Sequence, residues 1–316
     1  MKNLIWWLKY YVSYFIPKNN VVTAKSNVIT SNGNIITQYS DFIRKNPAYF
    51  VATVIYMFIS FLLGGFILSF VFYVIAMFFI FSPIGDKFLM VLNNIRPLET
   101  RREKEYLIPI FEEVYEQAKA KNPELPEIHI CVMDKTIINA CAVGSRTVAV
   151  TKGAMQNLSE EELKGILGHE IGHIANGDTI ASLYMVVGSG FFSFFVLVAK
   201  LLMHFVDNLN GIFLNSQFIN AILRIIYRLL HYVILVFTFI MQIATSFNSR
   251  KAEYRADMYS FSLGFEIEMI EALYLLETIS LGDNSTLIQK MTASHPRITA
   301  RIQRLEMQLD EEDPEE

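Results

Sequence analysis

Chemistry enters this sequence at His169-Glu170-Ile171-Gly172-His173. Two imidazoles four residues apart project from one face of a helix and can reach a single divalent cation. The glutamate between them points slightly aside, where it can take a proton from an attacking water. Five-residue patterns arise by chance, and the plain competitor is a polar stripe on a surface helix. That competitor fits poorly, because Ile166, Leu167, Ile171 and Ile174 make the surroundings apolar. Histidines buried there must be neutralised or paired, and a metal does this.

A catalytic zinc usually takes three protein ligands and leaves one position for water. The other histidines are His129, His204, His231 and His295. His204 and His231 border apolar stretches, where packed or interfacial histidine is the simpler reading. Glu253 is the better third ligand, in the polar run 248–257. Asp257 follows four residues later on the same helical face, and a carboxylate there can accept the second ring N–H of a ligand histidine. The alternative is a solvated charged turn with Glu253 paired to Arg250 or Lys251, and the two-histidine helix weighs against it. His169, His173 and Glu253 are thus expected to bind one Zn²⁺ per chain, zinc being inferred from the ligand types, with Glu170 as base.

These residues need elements to hold them. Leu158 to Leu163 form a marked helix start: Ser159 can cap, Glu162 can reach back, and Leu158 can staple onto Leu163. Asn176-Gly177 is the matching stop, so the spacing predicts a helix over 160–175. A second helix is expected over 103–121, ended by Pro123 and Pro126. Strands are expected at 128–132 and 146–150, and helices at 266–279 and 296–309.

The 316 residues are 53% hydrophobic and only 18% charged, with mean hydropathy +0.33. The shortage of charge is concentrated. Residues 48–82, 180–199 and 229–249 hold no Asp, Glu, Lys or Arg, and outside them the charged fraction is that of an ordinary globular protein, about a quarter. Such stretches are long enough to cross a bilayer. Gly64-Gly65 bisects the first, and basic residues flank both its ends, which favours two short spans over one long helix. Residues 3–16 are aromatic and too short to span, so an interfacial helix is expected, followed by a hairpin turn at Asn32-Gly33. The net charge of −4 comes from an acidic, solvated tail, 310–316, and no basic face suggests nucleic acid. Cys131 and Cys141 are too few for a disulfide framework and read as buried thiols.

The sequence resembles the HtpX family of integral-membrane zinc metalloproteases, related to the CAAX prenyl proteases. The matching residues are Asn139-Ala140 with Ala142, Val148-Ala149-Val150-Thr151, and Gly168 to Asp178. Ser249-Arg250 with Glu253, Ala256 and Asp257, and His295-Pro296 with Arg301, complete the set. The resemblance implies that His169, His173 and Glu253 bind zinc and that Glu170 is the base. It implies that His295 and Arg301 contact substrate or the developing oxyanion, where the plain alternative is a helix start with a solvated arginine. It also makes residues 138–144 an edge strand above the metal, with Asn139, Ala140, Cys141 and Ala142 pairing with an extended peptide. Cys141 departs from the family, which would have an aromatic residue there, and so do the first 46 residues.

The expected fold is α+β and mainly helical: a zincin-like metalloprotease domain with a small sheet, interrupted by a transmembrane helical hairpin. The expected layout is an interfacial helix and β-hairpin over 1–46, a membrane segment over 47–95, the protease domain over 96–309 with a membrane hairpin at about 180–247, and the tail. Ligands on both sides of the insertion must share one side of the membrane, which requires an even number of crossings. The implied function is a multi-pass endopeptidase of a bacterial inner membrane, facing the cytoplasm, that cleaves membrane or misfolded proteins. A processing protease for a lipidated or prenylated substrate is the runner-up. A scaffold with a relic site would be expected to lack Glu170 or a ligand, and a transporter would carry more polar residues in its spans. The expected partners are polypeptides and the lipid bilayer, not nucleic acid; the sequence says nothing of oligomeric state.

Overall fold

A computed structural model describes residues 82–181, 217–280 and 297–312, together with single positions scattered through the apolar stretches. The expected interfacial helix at 3–16, the turn at Asn32-Gly33, nearly all of 48–82 and 180–199, and His295 lie outside the described residues. Among the described residues no helix is both long and apolar enough to cross a membrane.

The described chain is mainly helical with one small sheet, as the sequence leads one to expect. Helix α1 (Pro83–Leu92) leads into strand β1 (Ile95–Pro97) and helix α2 (Arg101–Lys121). Strands β2 (His129–Met133), β3 (Ala140–Val143) and β4 (Thr147–Thr151) follow, then the short α3 (Lys152–Asn157) and α4 (Glu160–Asn176). Helices α5 (Gln217–Phe261), α6 (Glu266–Ser280) and α7 (Ile298–Glu312) complete it.

Local chemistry sets the helix ends. Thr100 and Glu103 form a capping box at the start of α2, and Ser159 and Glu162 form another at the start of α4. Gly177 stops α4 with φ 76°, a left-handed conformation that a residue with a Cβ adopts only under strain. The sheet order is β1-β2-β4-β3. β4 runs parallel to β2, and all five of its residues are buried; β3 pairs antiparallel with β4 and forms one edge. Leu163, Leu167, Ile171 and Ile174 of α4 pack with Leu107 and Val114 of α2 and with Val132, Val148 and Val150 of the sheet.

Three boundaries differ from the sequence reading. β1 was not foreseen: it is three residues long, ends in Pro97 and lies at the sheet edge, where a missing N–H is tolerated. The sequence suggests a less apolar connection around 207–228 between the two apolar stretches, yet residues 217–228 are the first turns of a continuous 45-residue helix. No glycine or proline occurs between Gln217 and Phe261, so nothing in the chain chemistry interrupts it. Finally, α7 runs to Glu312, three residues into the acidic tail, where Asp310 and Glu311 stay exposed to screening solvent.

Candidate metal centre

α4 carries its histidines into the interior by packing unusually close to its neighbours. A Cβ added at Gly172 would lie 2.9 Å from Tyr259 Cβ and 3.2 Å from Ala256 Cα, both on α5. At Gly168 it would meet Ser260 Oγ at 2.7 Å, and at Gly165 the Met269 backbone nitrogen of α6, also at 2.7 Å. The Ser260 hydroxyl donates to the Gly165 carbonyl at 2.7 Å and locks α5 onto α4. With the helices this close, the carboxylate of Glu253 reaches both imidazoles.

The three expected ligands converge. His169 Nε2 lies 3.1 Å from His173 Nε2. Glu253 places Oε2 3.5 Å from His169 Nε2 and Oε1 3.6 Å from His173 Nε2. A tetrahedral zinc with bonds of about 2.1 Å separates its ligand atoms by roughly 3.4 Å, so this donor set fits the ion. Protonation agrees with the distances. His169 Nδ1 lies 2.8 Å from Asp257 Oδ1 and His173 Nδ1 lies 3.1 Å from Asp178 Oδ2, so each Nδ1–H is used as a donor. Both Nε2 lone pairs and the Glu253 oxygens then face one point, an arrangement that calls for a cation. Among the described residues this is the one such group of His, Cys, Asp and Glu.

Pairing offsets the effect of burial around the centre. Burial alone would lower the pKa of His173, but its hydrogen bond to Asp178 and the charges of Glu170 and Glu253 outweigh this and raise it. Burial would raise the Asp257 carboxyl, yet hydrogen bonds from Arg301 and His169 hold it below the usual range. Asp257 itself is 1% exposed.

Arg301 enters from α7 and is buried with them. Its Nε donates to Asp257 Oδ2 at 2.8 Å, its Nη2 donates to Asp257 Oδ1, and its Nη1 lies 3.2 Å from Glu253 Oε2. The guanidinium therefore holds two carboxylates in this structure. It is not a solvated helix residue.

Glu170 is buried, and its Oε2 accepts the N–H of Ala142 at 2.6 Å. That donor belongs to β3. The Cys141–Ala149 pair directs its neighbours' N–H and C=O groups away from β4, as antiparallel geometry requires. Glu170 thus sits at the open edge of the sheet. Asn139 is pinned to Thr151: its N–H donates to Oγ1 at 3.0 Å and its carbonyl accepts from Thr151 N–H at 3.0 Å. Ala140 is buried, while Cys141 and Ala142 are half-buried. Burial and the nearby Glu170 charge push the Cys141 thiol up to about 12, which makes it a poor nucleophile and a poor metal ligand at neutral pH.

Two contributions to the centre escaped sequence reasoning: the contact Asp178, a matched residue, makes with His173, and Arg255 altogether. Asp178 and Arg255 form a pair, Nη2 to Oδ1 at 2.6 Å, beside His173. The available signal was the left-handed Gly177, which turns the chain so that Asp178 folds back along the last turn of α4. Arg255 carried no signal beyond lying two residues after Glu253.

Comparison with known proteins agrees with the geometry. Residues 101–309 match peptidase family M48, a span that holds every residue of the cluster. Protease HtpX of Stenotrophomonas maltophilia (strain K279a) is 32% identical over 207 residues, covering 60% of this chain and 68% of that protein. Protease HtpX of Cellvibrio japonicus is 32% identical over 227 residues, covering 64% and 71%. The crystal structure of S. mikatae Ste24p shares the fold with a TM-score of 0.51 at 20% identity, over 86% of this chain and 67% of that one.

Proposed function

The chain belongs to peptidase family M48, in an HtpX-like branch, and from that premise we propose that it is a membrane-embedded, zinc-dependent endopeptidase acting on membrane or misfolded proteins. The observation that carries the proposal is the convergence of His169, His173 and Glu253 beside a buried Glu170 at an open strand edge. Zinc bound there supplies a Lewis acid that polarises both the attacking water and the scissile carbonyl.

The chain's own residues do the rest. Glu170 takes the water's proton and later delivers it to the leaving amine. The Ala142 N–H holds one oxygen of that carboxylate and leaves the other for the proton. An extended peptide adds to the outer edge of β3 through main-chain groups other than the Ala142 N–H, which Glu170 holds, so cleavage need not depend on one side chain. Arg301, with its donors on Asp257 and Glu253, acts by holding those carboxylates. His295, to which the family resemblance assigns a contact with substrate or the developing oxyanion, would contribute to its stabilisation.

The membrane part of the proposal rests on the uncharged stretches and on α5. Phe218, Ile222, Ile225, Leu229, Tyr232, Val236 and Phe239 are all more than 40% exposed along one helix. Water does not favour so long an apolar stripe, whereas lipid does. The expected hairpin at about 180–247 would place the ligand pair on α4 and the ligand on α5 on the same side of the bilayer, close to its surface.

The test pairs wild type with Glu170→Gln, measuring bound zinc and cleavage of an unfolded model protein. Zinc should be retained in both, with cleavage lost in the variant. Wild type that stays inactive after zinc loading would sink the proposal.

A further inference from the structure

The two histidines are supported in parallel ways. On one side His169 Nδ1 donates to Asp257, and Arg301 of α7 holds that carboxylate with two donors. On the other, His173 Nδ1 donates to Asp178 Oδ2, and Arg255 of α5 donates to Asp178 Oδ1. Each ring is backed by a carboxylate, and each carboxylate by a guanidinium. The first set comes wholly from motif positions, whereas the second joins Asp178, the last residue of the α4 motif, to Arg255, which belongs to none, and depends on a turn and a helix meeting in space.

The second set is built, not incidental. Asp178 is 7% exposed, and a carboxylate so deep is costly unless paired. An ion pair that merely joined the end of α4 to α5 would not need the second oxygen at a ring nitrogen, yet Oδ2 lies at 3.1 Å from Nδ1. Arg255 lies between Glu253 and Asp257 on α5, so holding Asp178 also fixes the rotation of the turn that presents Glu253. Its side chain is 47% exposed, unlike Arg301 at 9%, so this half of the centre reaches solvent.

We propose that Asp178 and Arg255 are positioning residues for the metal centre. Asp178 sets the tautomer and orientation of the His173 ring, and Arg255 holds Asp178 in place while anchoring the Glu253 turn. The inference rests on the metal centre proposed above.

The test uses the full chain purified in detergent, with zinc affinity read by competition against a chromophoric chelator. Metal-free thermal midpoints are measured alongside. Asp178→Asn should weaken zinc binding between about 10- and 100-fold, the usual size for loss of a carboxylate behind a ligand histidine. Arg255→Ala should weaken it up to about fivefold, since half-exposed pairs are worth little more. That smaller effect should shrink in high salt, and Arg255→Lys should restore most of it. The metal-free midpoint of Asp178→Asn should stay near that of wild type, because the neutral amide leaves no buried charge unpaired. Equal zinc affinity in wild type and Asp178→Asn would overturn the inference. So would a loss of metal-free stability with zinc affinity unchanged, which would mark the pair as a clamp between helices only. Wild type that takes up no zinc would instead overturn the metal centre itself, which keeps the two failures apart.

Discussion

Gly172→Ala isolates the contact on which the centre depends. The new Cβ would lie 2.9 Å from Tyr259 Cβ and 3.2 Å from Ala256 Cα. Comfortable carbon contacts begin at about 3.5 to 4.0 Å, so α4 and α5 must part by on the order of 0.5 to 1 Å. Neither neighbour is the end of a flexible side chain, so the relief must come from the helix. Glu253 is less than one turn from Ala256 and moves with it. Its oxygens, now 3.5 and 3.6 Å from the histidine nitrogens, would retreat to roughly 4 to 4.5 Å, wider than the ~3.4 Å edge of a tetrahedral zinc site. Misplacement of about 1 Å costs on the order of 100-fold in rate. Stability should move far less. Alanine gains about 1 kcal/mol of helix propensity over glycine, and overpacking costs about 1 to 3 kcal/mol, so the two largely offset. The assay is kcat/KM on an unfolded protein, zinc affinity and the thermal midpoint, with Gly165→Ala as a control. That Cβ meets Met269 at 2.7 Å on α6, which carries no ligand, so it should cost stability with activity kept within a few-fold. Wild-type zinc affinity and rate in Gly172→Ala would refute the reasoning. Equal losses in both variants would refute it too, by tracing the effect to general destabilisation.

Two further outcomes follow from single contacts. Ala142→Pro removes the N–H that holds Glu170 while leaving an edge strand able to accept proline; zinc should remain bound and kcat should fall roughly 10- to 100-fold, the worth of a hydrogen bond to a charged group. Unchanged kcat would show that Ala142 does not position the base. Glu103 tests the scaffold: the hydrogen bonds from Arg96 hold its carboxyl at about 2, against 4.5 in the unfolded chain. A lowered folded-state pKa stabilises fully above the unfolded value and is lost as pH falls towards the folded one. Glu103→Gln should therefore cost about 2 kcal/mol at neutral pH, and its thermal midpoint should approach that of wild type between about pH 4.5 and 2. A gap that does not change with pH would rule out the ion pair as its source.

How much of this could be read in advance depended on how local each signal was. The α4 helix, its cap and its stop follow from neighbours within one turn, and the structure reproduces them almost residue for residue. Glu253 and Asp257 were legible because their spacing repeats the logic of a helical face. β3 was legible as an edge strand only through family resemblance, since residues 138–144 alone could as well be buried. Arg301 was placed near the chemistry, but its bonds to Asp257 and Glu253 were not, because they require α7 to cross α5. The Asp178–Arg255 pair was invisible for the same reason: its members are 77 positions apart, and their meeting is set by glycines that let two helices touch.

Those glycines and the length of α5 act together. A single helix carries the exposed stripe from Phe218 to Phe239 and then the buried face of Glu253, Ala256, Asp257 and Ser260. Glu253 lies fourteen positions after Phe239, about 21 Å along the helix axis. No glycine or proline lies between them to absorb a bend. On the proposed membrane reading, whatever sets the tilt of the apolar half also sets the ligand half, and the tolerance at the ligand end is the sub-ångström clearance at Gly172. The bilayer is then more than a place where substrates are met. On that reading it would act through α5 as one of the walls against which the proposed metal centre is held in shape.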